Sequence, residues 1–267
     1  MPSSASRHLT GSKQENFRRD AREIRMSRPT HVYIVASPRP RTGKTLLARA
    51  LVDFFASDER QVGGFDLDTM DSALAGFLPD VTLRADIRDT RGQVALFDEL
   101  IVDNLMPKVV DVHAPDFEAF FNVMEQIGFA VEAPRHAVDP IILFCANAEQ
   151  KSVKAYMRLR TRFQNVTLVP VYNDGIVRGF SLRNDFPPTS ETALPLRIPA
   201  MSPALRAIGD AKPFSFAEFR RRPPARMQEL LQAELNSWLK RVFLQFREME
   251  LRMLLSNLRG SLRQPLR

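Results

Sequence analysis

The chain holds one cysteine in 267 residues, Cys145, so no intramolecular disulfide can staple it. That residue sits inside the apolar run "IILFCANA" and reads as a small core side chain rather than a nucleophile. Histidine is also scarce, and His8, His31, His113 and His136 are scattered, so the sequence offers no Cys/His metal framework. No stretch approaches the roughly 20 uncharged apolar residues of a membrane span. The start, "MPSSASRHLTGSKQENFRRD", lacks the apolar middle of a secretory signal. The expectation is a cytoplasmic protein. No internal repeat is visible, and a hydrophobic content of 44% suffices for a full core in one large domain.

The formal net charge is +7, and most of it is C-terminal. From Ser215 onward there are eleven Lys/Arg against five Glu, an excess of six positive charges. That excess reads either as a solvated helix face or as attraction for an acidic partner, nucleic acid or an anionic membrane surface.

Along the chain, apolar β-rich runs alternate with helical spacing. Residues 1–28 are polar and mixed in charge, a flexible basic arm in expectation. Strands are expected at 31–37, 61–68, 107–113, 139–148 and 166–174, with helices at 44–56, 91–105, 116–129 and 149–163. This alternation predicts an α/β fold, a mostly parallel sheet with helices on both faces, over a core of 29–175. Residues 176–224 are Pro-rich and predict surface loops with short helical pieces that complete the domain. Residues 225–258 contain no Gly or Pro. Met227, Leu231, Leu235, Trp238, Val242, Phe246, Met249 and Met253 recur there at three- and four-residue intervals, which predicts a long amphipathic helix before a tail at 259–267.

The chemistry concentrates in "ASPRPRTGKTL" (36–46). Gly43-Lys44-Thr45 completes the phosphate-loop pattern GxxxxGK[ST], but the first glycine position holds Pro38. Pro38 and Pro40 have no N–H to donate to an anion, and Arg39 and Arg41 alternate with them, so side-chain charge replaces backbone donors. A strand before the loop and a helix after it predict a nucleotide site. Lys44 would reach the β- and γ-phosphates and Thr45 would offer its hydroxyl to Mg²⁺. The amides of Thr42, Gly43, Lys44 and Thr45, flanked by Arg41 and Leu46, would hold phosphate at a helix N-terminus. Asp66 and Asp68 in "FDLD" share one face of a strand end, where they suit metal-bound water or water positioning. Asp111 in "VVDV" is the Walker-B candidate, and metal contacts are assigned to Thr45, Asp66 and Asp111. His113 reads as an ordinary strand-end histidine rather than a catalytic base.

Together these residues resemble the ParA/MinD family of deviant-Walker-A P-loop ATPases over roughly residues 30–175. A fainter likeness, in "DLDTMDSALAGF", "ALFDELI" and "VVDVHAPDFEAFF", points to ParA-like proteins encoded beside conjugative transfer genes. The resemblance implies ATP and Mg²⁺ as ligands and a face-to-face homodimer around two ATP molecules. The family loop reads KGGxGKT, and its leading lysine reaches the partner's phosphates. Arg39 occupies that position here, with Pro40 and Arg41 in place of the two glycines. The resemblance also implies that Asp68 orients the attacking water and that Asn173 reads adenine. Thr69-Met70 and Val112-His113-Ala114 depart from the family's Pro-Gln and Thr-Pro-Pro.

The expectation is a weak ATPase switch. ATP and Mg²⁺ would favour a dimer or partner-binding state, and slow hydrolysis through Asp68, Lys44 and Arg39 would reverse it. The basic C-terminal helix would then dock on nucleic acid, an anionic membrane or a partner protein. The alternatives are a non-hydrolysing adaptor that keeps the fold, and a P-loop small-molecule kinase or ligase of the dethiobiotin-synthetase type.

Overall fold

The strand β1 (Thr30–Ala36) has the sequence THVYIVA, and both of its faces are dry. Tyr33 and Val35 enter one apolar layer, whereas Val32, Ile34 and Ala36 enter the other. Burial on both sides is what a parallel strand under two helical layers requires. The computed structural model describes residues 29–71, 73–176, 185–190, 193–223 and 229–262, apart from the side chains of 257–262. The expected N-terminal arm and residues 263–267 lie outside the described residues.

Six strands join β1 in one sheet: β2 (Gly63–Asp66), β3 (Thr82–Arg84), β4 (Lys108–Asp111), β5 (Val138–Cys145), β6 (Thr167–Asn173) and β7 (Leu196–Ile198). Their order is β3-β2-β4-β1-β5-β6-β7, and every paired strand is parallel. The helices are α1 (Lys44–Ser57), α2 (Ala73–Phe77), α3 (Thr90–Ile101), α4 (Phe117–Gln126), α5 (Phe129–Arg135), α6 (Gln150–Arg162), α7 (Pro203–Gly209), α8 (Phe216–Arg221) and α9 (Glu229–Leu262). One face of the sheet carries α1, α2, α7, α8 and α9. The other carries α3, α4, α5 and α6. The chain is thus the α/β protein that its alternating pattern predicts.

Several elements differ from the sequence reading. The helix expected over 116–129 breaks at Gly128, whose φ of +66° suits a residue without Cβ, and restarts as α5. The helix expected over 91–105 stops at Ile101, and Leu105 turns the chain with a φ of +59°. Both β3 and β7 escape the pattern because each has three residues, too few to show a period. At the other end, α9 continues through Gly260 to Leu262. Its expected start at 225 falls outside the described residues.

The helix that follows the loop is anchored from behind. Asp53 of α1 accepts the Ser215 hydroxyl at 2.6 Å and the Phe216 amide at 2.6 Å. Arg49 donates to the Gly209 carbonyl at 2.7 Å while its guanidinium lies 3.5 Å over the Phe77 ring. The inner face of α9 completes this layer. Leu235, Trp238, Leu239, Val242, Phe243, Phe246, Met249 and Met253 are all buried, and Phe54 of α1 meets the edges of Phe243 and Phe246. Arg60 pairs with Glu250 at 2.8 Å. The stripe from Leu235 to Met253 is therefore core, Leu231 is half-buried, Met227 lies outside the described residues, and Leu244, Leu251 and Leu255 stay exposed on α9. No helix among the described residues is long and apolar enough to cross a membrane.

Candidate functional site

The site lies where β1 ends. From β1 the sheet grows in opposite directions, through β4 to one side and β5 to the other, and such a reversal leaves a crevice at the C-terminal strand ends. Register sets what lines it. Val35 pairs with Asp111, and Asp111 pairs with Asp66, so the two carboxylates sit side by side next to the loop that leaves β1.

In the loop, Arg41 has φ +58° and Gly43 φ +87°. Gly43 is obligatory for two reasons. Its conformation suits glycine, and a Cβ there would lie 2.1 Å from Asn173 Nδ2. Arg41 keeps the same left-handed turn without that freedom, at a cost of roughly 1 kcal/mol. The Leu47 amide donates to the Gly43 carbonyl at 2.9 Å, which leaves the amides of Lys44, Thr45 and Leu46 outside the helical ladder and pointing out of the N-terminus of α1. Lys44 is 8% exposed and its Nζ donates to the Arg39 carbonyl at 2.9 Å. Burial lowers its pKa, an effect opposed by Cys145 and Asp111. The Arg39 side chain reaches Glu149 Oε2 at 2.7 Å.

Thr45 Oγ1 donates to Asp111 Oδ2 at 2.7 Å. The other Asp111 oxygen is buried without a hydrogen-bond partner among the described residues. Burial pushes this carboxyl up to about 7, opposed by the Thr45 bond and aggravated by the neighbouring Asp66. Asp66 is fully buried, and burial raises its pKa as well. Its Oδ1 accepts the Asp68 amide at 3.0 Å and its Oδ2 the Ala75 amide at 2.9 Å, so it anchors the turn into α2. Asp68, half-buried, accepts the amides of Met70 and Asp71 at 3.1 and 2.9 Å. No group of three or more His, Cys, Asp or Glu among the described residues could hold a metal ion. The donors present instead suit a hard cation held by one hydroxyl, water and a ligand's own oxygens, with the orphaned Asp111 oxygen accepting from that water.

A cavity of about 500 Å³ opens from Gly43 and Thr45 past Leu46 and Arg49 toward Asn173, Ile176, Pro199, Met201 and Arg206. Asn173 Oδ1 accepts the Gly175 amide at 3.0 Å, which turns the side-chain NH₂ toward Gly43. Arg39, Arg41, Thr42, Gly43, Lys44, Thr45, Leu46, Asp66, Asp68, Asp111 and Asn173 therefore meet at one end of the sheet. Sequence reasoning missed Glu149, Pro199, Met201 and Arg206. Only tertiary contact could have revealed them, because none carries a motif.

No protein-family model matches the chain. No curated protein matches it either. A solved nucleotide-binding protein from Archaeoglobus fulgidus, in complex with ADP, is similar at 13% identity over 72% of this chain and 90% of its own, with a TM-score of 0.42. At that distance the site has to be read from its own geometry.

Proposed function

We propose that the chain is a P-loop ATPase switch of the ParA kind, binding ATP with Mg²⁺ and hydrolysing it slowly. The observation that carries this reading is the bond from Thr45 Oγ1 to Asp111 Oδ2 at 2.7 Å beside the buried Lys44 ammonium. A loop hydroxyl joined to a strand-end carboxylate, at the open N-terminus of a helix, is the donor set that phosphoryl transfer uses. Lys44 exchanges the Arg39 carbonyl for the β- and γ-phosphate oxygens. The amides of Thr42, Gly43, Lys44, Thr45 and Leu46 hold the phosphates, and Arg41 adds charge at the exposed rim.

Bound Mg²⁺ would neutralise charge that develops on the phosphates. Thr45 supplies its hydroxyl to that ion, and Asp111 orients its water. Asp66, whose oxygens take two amides, holds the loop that carries Asp68. Asp68 orients the attacking water. The base enters the cavity between Asn173, Pro199 and Met201. Arg39 leaves Glu149 to reach the phosphates of a second copy, so that ATP favours a homodimer. The outward face of α9, where Lys240 and Arg241 lie beside exposed Leu244, Leu251 and Leu255, is left for an acidic partner.

Equilibrium dialysis with labelled ATP tests the site. Lys44→Ala abolishes binding, and equal affinities of the two proteins would remove the P-loop assignment. Asp68→Ala keeps binding but lowers turnover by about a hundredfold, the usual loss of a group that positions a reactant. Wild-type protein that binds ATP without turnover would turn the reading to the non-hydrolysing adaptor.

A further inference from the structure

His113 follows β4, two residues beyond Asp111. Its ring lies between two carboxylates. Nε2 faces Asp68 Oδ2 at 3.6 Å and Nδ1 faces Asp116 Oδ2 at 3.3 Å. We propose that His113 is a positioning residue that directs Asp68 toward the attacking water, with Asp116 setting the ring. The inference rests on the assignment of Asp68 to water orientation.

The backbone fixes two members of this chain of contacts independently. The His113 carbonyl accepts the Asp116 amide at 3.0 Å, so the turn Ala114–Asp116 brings the Asp116 carboxylate back over the ring. Asp68 spends Oδ1 on the amides of Met70 and Asp71. Its Oδ2 is the oxygen left to be aimed. Among the described residues His113 is the one cationic or imidazole group within 4 Å of it. The gap of 3.6 Å is too narrow for an intervening water and slightly too wide for a hydrogen bond. A shift of less than about 1 Å closes it, in keeping with the way catalytic hydrogen bonds tighten once substrate is present. All three side chains are partly buried, at 33% exposure for His113, 16% for Asp68 and 24% for Asp116, so solvent competes only in part for these contacts.

The ring's hydrogen-bonding and ionic partners are Asp68 and Asp116, not Lys44 or Thr45. Its effect must therefore pass through Asp68 and be felt in turnover rather than in ground-state binding. A side chain that merely filled space after β4 would be replaceable without regard to hydrogen bonding.

The test compares wild type, His113→Ala and His113→Gln, since a glutamine amide can donate from near the position of Nε2. Turnover and KM for ATP would be measured together with two affinities, for a non-hydrolysable ATP analogue and for ADP with aluminium fluoride and Mg²⁺. His113→Ala lowers kcat by about tenfold or more while KM and analogue affinity stay within about twofold. It weakens the fluoroaluminate complex in proportion to kcat, because the loss is confined to the transition state. His113→Gln recovers most of both. Unchanged kcat in His113→Ala, or a loss of analogue affinity as large as the loss of turnover, would overturn the positioning role and leave the ATPase reading intact. Wild-type protein that binds ATP without hydrolysing it overturns the roles of Asp68 and His113 together. Wild-type protein that does not bind ATP overturns the reading of the site itself.

Discussion

Replacing Asp111 by Asn should make the nucleotide-free protein more stable while removing its response to Mg²⁺. The carboxyl titrates at about 7 in the folded protein, against 3.8 for an ordinary aspartate, because burial disfavours its charged form. For an acid raised in this way, the folded state keeps a proton that the unfolded chain has released between pH about 4 and about 7. Stability therefore falls as pH rises through that window and levels off above it. About three pH units at roughly 1.4 kcal/mol each give a cost on the order of 4 kcal/mol at pH 8. Asparagine has no such titration, and its amide oxygen can still accept from Thr45. The difference between the two proteins should be near zero at pH 4 and grow to that size by pH 8, or roughly 8–16 °C in Tm for a domain of this length. Asp53 and Asp139, both pushed up to about 6 by burial, are common to both proteins and cancel in the comparison. Differential scanning calorimetry from pH 4 to 8 reads the effect. In a second series with a non-hydrolysable ATP analogue, adding Mg²⁺ should stabilise wild type further but leave the variant little changed. Parallel curves for the two proteins across the pH range would refute the burial argument.

Two further substitutions probe the loop and the long helix. Arg39→Ala removes an ion pair whose partners are 38% and 46% exposed, so monomer stability should change by less than about 1 kcal/mol. ATP-dependent dimerisation, followed by sedimentation with a non-hydrolysable analogue, should be lost, and a variant that dimerises normally would return Arg39 to a solvated loop charge. Trp238→Ala deletes an indole that is 1% exposed, packs on Phe216 and donates to the Pro199 carbonyl at 2.8 Å. Urea denaturation should show a loss of about 3–5 kcal/mol, and a loss below about 1 kcal/mol would mean that α9 is dispensable to the core.

The sequence by itself determined the α/β class, the five longer strands and the place of the loop between a strand and a helix. Short runs such as THVYIVA, rich in β-branched and aromatic residues and alternating with helical segments, point to buried strands, and Gly43-Lys44-Thr45 needs no partner from elsewhere to be read. The stripe from Leu235 to Met253 likewise announced a helix, since its period is local. What that stripe faced was a tertiary matter, because the same apolar spacing serves a core, a membrane surface or a partner. Short elements were hidden for a related reason. Three residues of β3 or β7 carry no period, and they are strands only because β2 and β6 offer them a ladder. Tertiary structure also decided the divided roles of the acids. Asp66, Asp68 and Asp111 look alike in sequence, yet the fold sets Asp111 beside Asp66 and Thr45, gives Asp66 two amides to hold and leaves one oxygen of Asp68 facing His113. Residue type sets what a side chain can do, whereas burial and neighbours set which of those things it does, and both of the latter belong to the folded chain.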